Sequence, residues 1–118
     1  MRVPILKQEN YLIASIQSTL TDEELVEFRD DITRQVGRHR ARGIVVDVTV
    51  LDVIDSFAVR TLRSIGELTR LRGAHTVIVG IQPEVAIAMV QLGLGFEGAH
   101  TALDLEEGIA LLDELTGK

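Results

Sequence analysis

The chain has no cysteine, so it holds no disulfide, no thiolate nucleophile and no sulfur-ligated metal site, and nothing in it argues for an oxidising compartment. Aromatic residues are scarce: Tyr11, Phe28, Phe57 and Phe96 are the only ones. Together with a formal net charge of −6, that scarcity leaves neither the basic footprint nor the stacking surface of a nucleic-acid binder. No uninterrupted apolar run approaches the ~18 residues of a membrane span, and Met1-Arg2-Val3-Pro4 lacks the apolar core of a signal peptide. A cytoplasmic protein without nucleic-acid or membrane partners is expected.

What is present suffices for one domain over residues 1–118. With 118 residues, 46% of them apolar, the chain can close one core without covalent staples, and no repeat, linker or low-complexity segment interrupts it. Ile5-Leu6-Lys7 and Tyr11 to Ile16 read as two strands joined around Glu9-Asn10. Thr21-Asp22-Glu23-Glu24 has the pattern of a capping box, and Leu25, Phe28, Ile32 and Val36 then mark one face of a helix closing near Gly37. Ile44 to Val48 is a short apolar run suited to a buried parallel strand, followed by a helix from Ser56 to Arg72-Gly73. His75 to Gly80 supplies another strand, Pro83 opens a third helix, a short strand lies near Ala99 to Ala102, and Asp104 with Glu107 caps a last helix. This order implies an α/β fold, a mostly parallel sheet begun by an antiparallel hairpin and carrying about four helices.

The charge is unevenly spread. Residues 34–72 hold eight arginines against four acids, so the middle of the chain is net positive and the flanks strongly negative. Complementary patches of this kind suit oriented protein association. Arg38, Arg40 and Arg42, like Arg70 and Arg72, also stand where cations complement a helix C-terminus, and both readings remain open. The third helix carries Val85, Ala86, Ile87, Ala88, Met89, Val90 and Leu92, apolar nearly all round, which implies burial on more than one side. The second cover is either the domain's own elements or another subunit, with Met89 and Val90 as candidate assembly residues.

Several motifs are set aside on context. Gly93-Leu94-Gly95-Phe96-Glu97-Gly98 spells a dinucleotide fingerprint, but it follows a helix and leads into a strand, the reverse of what a phosphate loop requires. His39, His75 and His100 have no metal-ligand spacing. Asp47, Asp52 and Asp55 resemble a magnesium cluster only if an acidic pair ends the preceding strand, where Ser18-Thr19 stands instead. No metal or other cofactor is expected.

Asp52-Val53-Ile54-Asp55-Ser56-Phe57 is the most informative segment, because it puts a lone serine between a buried strand and an amphipathic helix. Unpaired N–H groups and the helix dipole make that position favourable for an anion, including a phosphate on the serine itself. No G-x-S-x-G surrounds Ser56 and no histidine is tied to it, so nucleophilic catalysis has no support. The plain alternative is a helix cap shared with Asp55, worth about 1 kcal/mol.

The Asp55-Ser56 pair after a strand ending Asp47-Val48-Thr49, in a small hairpin-first α/β domain, resembles the STAS family of anti-sigma-factor antagonists. Pro4-Ile5-Leu6-Lys7, Ser15-Ile16-Gln17, Ile54-Asp55-Ser56-Phe57, Gly80-Ile81-Gln82-Pro83 and Thr101 to Glu106 extend the resemblance over essentially the whole chain. Phe57-Ala58-Val59 stands where sporulation-type antagonists usually carry glycines, so the likeness is to the stressosome scaffold type. The resemblance implies a single STAS domain that is not an enzyme and acts as a scaffold and negative regulator of a stress response. It implies Ser56 as phosphoacceptor of an RsbT-type serine kinase, with Asp52, Asp55, Phe57 and Arg60 flanking the switch and a phosphatase resetting it. It also implies self-association and co-assembly with RsbR-type sensor paralogues in a large shell. A soluble antagonist of one anti-sigma factor, and a small-molecule-binding α/β domain, are the alternatives.

Overall fold

Short runs of β-branched and aliphatic residues build a five-stranded sheet whose spatial order follows the chain. The computed structural model describes residues 3–118; Met1 and Arg2, which open the segment weighed as a leader, lie outside the described residues. The elements are β1 (Ile5–Gln8), β2 (Tyr11–Ser15), α1 (Asp22–His39), β3 (Gly43–Asp47), α2 (Ser56–Leu71), β4 (His75–Val79), α3 (Pro83–Gln91), β5 (His100–Ala102) and α4 (Leu105–Leu115). β1 pairs antiparallel with β2 through a two-residue turn, and β2 to β5 are parallel. The expected α/β fold, a mostly parallel sheet begun by a hairpin with four helices, is the fold observed.

Alternation along the strands divides the core in two. Leu12, Ala14, Ile44, Val46 and Ile78 point to one face, where Phe28, Ile32 and Val36 of α1, Leu62 and Ile65 of α2, and Val85 and Met89 of α3 cover them. Tyr11, Ile13, Val45, Val77 and Val79 point to the other face, where Leu112 of α4 closes the second cluster. Three successive right-handed crossovers put α1, α2 and α3 on one side, and α4 folds back onto the other. It lies close because Gly108 carries no side chain: a Cβ there would stand 2.8 Å from Val79 Cγ1.

Two expectations are refined. α1 closes near Gly37 as expected, ending at His39, with Arg40 in the left-handed cap conformation at φ 51° and its N–H donating to the Gly37 carbonyl. The Arg72 guanidinium, the movable end of a long side chain, packs against Gly37. Among the described residues α3 is covered on one side only, so of the two covers expected for its other side the domain's own elements supply none. Val85 and Met89 face the core, whereas Ile87 and Val90 point outward, Val90 at 79% exposure. Met89, 7% exposed, is thus a core residue and not part of an exposed assembly face, while Val90 stays available for one.

Candidate functional site

The four parallel strands end flush. Ser15, Asp47, Val79 and Ala102 are register partners across β2, β3, β4 and β5, so all four following loops, and the N-termini of all four helices, leave from one edge. Open parallel sheets place their sites at this edge. Helix dipoles make it favourable to negative charge, and the sequence supplies acids there: Asp22, Glu23 and Glu24 in the first turn of α1, Glu84 in that of α3, and Glu106 and Glu107 in that of α4. α2 alone has no acid in its first turn. Its first helical residue is Ser56.

The expected cap shared by Asp55 and Ser56 resolves onto Asp55 alone. Asp55 Oδ1 accepts the Ala58 N–H at 2.8 Å, leaving Ser56 one position inside the helix. Ser56 is exposed, and its hydroxyl has no hydrogen-bond partner among the described residues. Asp52 and Asp55 are exposed beside it, Phe57 is half-buried, and Arg60 is exposed one turn along without an ion-pair partner among the described residues. Phe57 also helps fix the first turn, because its carbonyl accepts the Thr61 hydroxyl at 2.9 Å. The structure thus gathers Asp52, Asp55, Ser56, Phe57 and Arg60 around one helix start. Val90, on the outer side of α3, and buried Met89 are not part of that start.

Sequence reasoning missed what holds the loop in front of Ser56. Asp47 Oδ1 accepts both the Thr49 N–H at 2.9 Å and the Thr49 hydroxyl at 2.6 Å, and the Thr49 carbonyl accepts Gln82 Nε2 at 2.8 Å. Gln82 stands at the N-cap of α3 but makes no cap bond with its side chain, having spent it on the neighbouring loop. Gly80, at φ +82°, permits this: a Cβ there would stand 2.0 Å from Thr49 Oγ1. The Thr49–Gln82 bond joins residues 33 apart in sequence, and only the pattern Asp-x-Thr at a strand end hinted at the network. It also accounts for Asp47, whose carboxylate serves the turn. Among the described residues no three His, Cys, Asp or Glu side chains stand together as metal ligands.

At the opposite edge, where the parallel strands begin, the structure brings together His75 and His100, which the sequence separates by a helix. Their ring centroids are 6.0 Å apart on adjacent strands β4 and β5. The pKa of His75 is lowered by burial first and then by Arg70, His100 and Arg42. No described helix is long and apolar enough to cross a membrane.

Comparison with known proteins agrees with this architecture. A solved RsbS of Moorella thermoacetica, carrying a serine-to-glutamate change, is 36% identical over the whole of both chains and superimposes with a TM-score of 0.85. A chain from a structure describing the molecular architecture of the stressosome is also 36% identical, with a TM-score of 0.80 over 98% of this chain and all of that one. Among curated proteins, the RsbT co-antagonist protein RsbRA of Bacillus subtilis is 27% identical over 110 residues, 93% of this chain but only 40% of that relative. The chain therefore spans less than half of that curated relative. The STAS domain model matches residues 2–108, from the opening hairpin through the first turn of α4, and with the hairpin-first sheet and the serine-headed α2 this establishes that the chain belongs to the STAS domain family.

Proposed function

We propose that this chain is a stressosome-type scaffold and negative regulator that holds a serine kinase of the RsbT type at the strand-end edge and releases it when the kinase phosphorylates Ser56. The observation that carries the reading is an exposed serine hydroxyl with no structural task, one residue inside a helix whose cap is already supplied by Asp55. A hydroxyl committed to capping would have to break that bond to react. Ser56 does not.

The charges give the release its direction. A phosphoserine adds about −1.5 to −2 charges, and the first turn of α2, lacking an acid of its own, accepts them at its N–H groups with Arg60 one turn along. The domain therefore stays folded when modified. Asp52 and Asp55 lie next to the new phosphate, so a face that was neutral at Ser56 becomes strongly acidic, and a docked partner loses affinity through repulsion and phosphate desolvation. A phosphatase returns the face to its binding state.

In this reading the protein is a kinase substrate and not an enzyme, needs no cofactor, and assembles with itself and with RsbR-type sensor paralogues. The 36% identity to a solved RsbS supports the scaffold type over a soluble antagonist of one anti-sigma factor. Incubation with an RsbT-type kinase and ATP, read by intact-mass spectrometry, is expected to add one phosphate to the wild type and none to Ser56→Ala. Stoichiometric labelling of Ser56→Ala would refute the assignment. Size-exclusion chromatography with a sensor paralogue separates the two family readings, since only a scaffold enters a large particle.

A further inference from the structure

The strand-start edge of the sheet gathers more cationic groups than the Ser56 edge, although Glu9, Asp113 and Glu114 also lie there, and it carries a recess. Arg70, His75, Thr76, Ala99, His100 and Leu115 line a hollow of about 330 Å³ between the end of α2, the starts of β4 and β5, and the end of α4. Arg42 adjoins it, its carbonyl accepting the His75 N–H at 3.0 Å. Among the described residues, none of Arg42, Arg70, His75 and His100 is paired with a carboxylate. From α4 the recess receives the apolar Leu115, and from α2 it receives Arg70. Thr76 is buried and its hydroxyl is already bonded to Thr69 at 2.8 Å, so the polar groups left for a ligand are cationic or imidazole groups.

We propose that this recess binds a small anion bearing a phosphate or carboxylate head, with Arg70 and the two imidazoles as its donors and Arg42 adding charge. Arg70 offers a planar fork suited to an oxyanion, and the two imidazoles supply N–H donors. Ala99 and Leu115 provide apolar walls for an organic remainder. Burial first, and then the positive Arg70, His100 and Arg42, lower the pKa of His75, and a bound anion would oppose that field. The concavity favours a small molecule over a protein surface. This site lies at the end of the sheet opposite Ser56 and stands whether or not Ser56 is a phosphoacceptor.

The test is a histidine-detected NMR titration of the full chain with inorganic phosphate, run against chloride at equal ionic strength. Saturable shifts of the His75 and His100 ring resonances are expected with phosphate alone, together with an upward move of the His75 titration midpoint. Arg70→Gln should weaken the phosphate affinity by about 10-fold, the scale of one lost charge-assisted contact, while leaving the circular dichroism spectrum unchanged. His100→Gln should abolish the coupled move of His75 if the pair acts together. Non-saturating shifts, equal shifts with chloride, or an affinity unchanged by Arg70→Gln would overturn the proposal. So would shifts that follow protein concentration and slow tumbling instead of phosphate, because the acidic edge of a second copy would then fill the recess.

Discussion

Gly80→Ala tests whether the Ser56 loop is held as the structure shows. Gly80 sits at φ +82°, where an added Cβ costs about 1–2 kcal/mol from backbone sterics alone. The same Cβ would stand 2.0 Å from Thr49 Oγ1, so the hydroxyl must leave Asp47 and forfeit a bond to a carboxylate, worth about 1–2 kcal/mol at this partly exposed position. The sum is a loss of about 2–4 kcal/mol, a large share of a small domain's stability. Thr49→Ala removes the colliding oxygen. In that background Gly80→Ala should cost only the backbone share, about 1–2 kcal/mol, leaving a coupling energy of similar size between the two sites. Urea unfolding of the four chains, followed by circular dichroism with common m-values, reads all the terms. A cost below about 1 kcal/mol, equal in both backgrounds, would refute the argument that Gly80 exists to admit the Thr49 hydroxyl. Because the Thr49 carbonyl also ties this loop to Gln82, the single variant should also slow kinase labelling of Ser56 while leaving the hydroxyl present.

Val90→Glu and Met89→Glu should part company: the exposed Val90 tolerates the change within about 0.5 kcal/mol, whereas a carboxylate at buried Met89 costs several kcal/mol and unfolds the chain. If α3 meets another subunit, light scattering should show Val90→Glu folded but smaller in assembly, and a folded Val90→Glu of unchanged particle size would move the interface off this helix. Tyr11 titrates above its ordinary 10.0, because it is buried and its hydroxyl donates to Asp113 at 2.6 Å. The folded pKa being raised, the contribution is complete below pH 10, where both states are neutral, and is lost as pH rises through the higher folded value. Urea midpoints from pH 8 to 11 should therefore fall more steeply for the wild type than for Tyr11→Phe, and parallel curves would sink this account.

The elements legible in the sequence were those with a local physical signature. Thr21 and Glu24 satisfy each other's backbone N–H as the capping box requires, and Asp104 accepts the Glu107 N–H at 2.9 Å, so both helix starts could be placed from four residues each. The nearly continuous apolar run Ile44 to Val48 foretold a strand buried on both faces. Which side of α3 meets the sheet was not legible, because its apolar residues outnumber the core positions available to a nine-residue helix at the sheet margin and composition does not choose among them. The Asp47, Thr49, Gly80 and Gln82 network and the His75–His100 pair join distant segments. They appear only once register brings β3, β4 and β5 together.

The uneven charge of the sequence acquires a meaning from topology. Parallel crossovers send every helix N-terminus to one edge and the C-termini to the other, so acids placed for the dipole in α1, α3 and α4 accumulate beside Ser56. Arg38, Arg40, Arg70 and Arg72, standing at or just past the ends of α1 and α2, accumulate at the far edge with His75 and His100. Residues that complement individual dipoles thereby also polarise the domain from one edge to the other. The edges are separated by strands of five residues, roughly 16 Å at about 3.3 Å per residue, which is twice the ~8 Å screening length of physiological salt. A phosphate at Ser56 and an anion at Arg70 consequently act on each other weakly through space. Any coupling between them would have to pass through the flush, largely buried strands β3 and β4, or through neighbouring copies that set an acidic edge against a basic one.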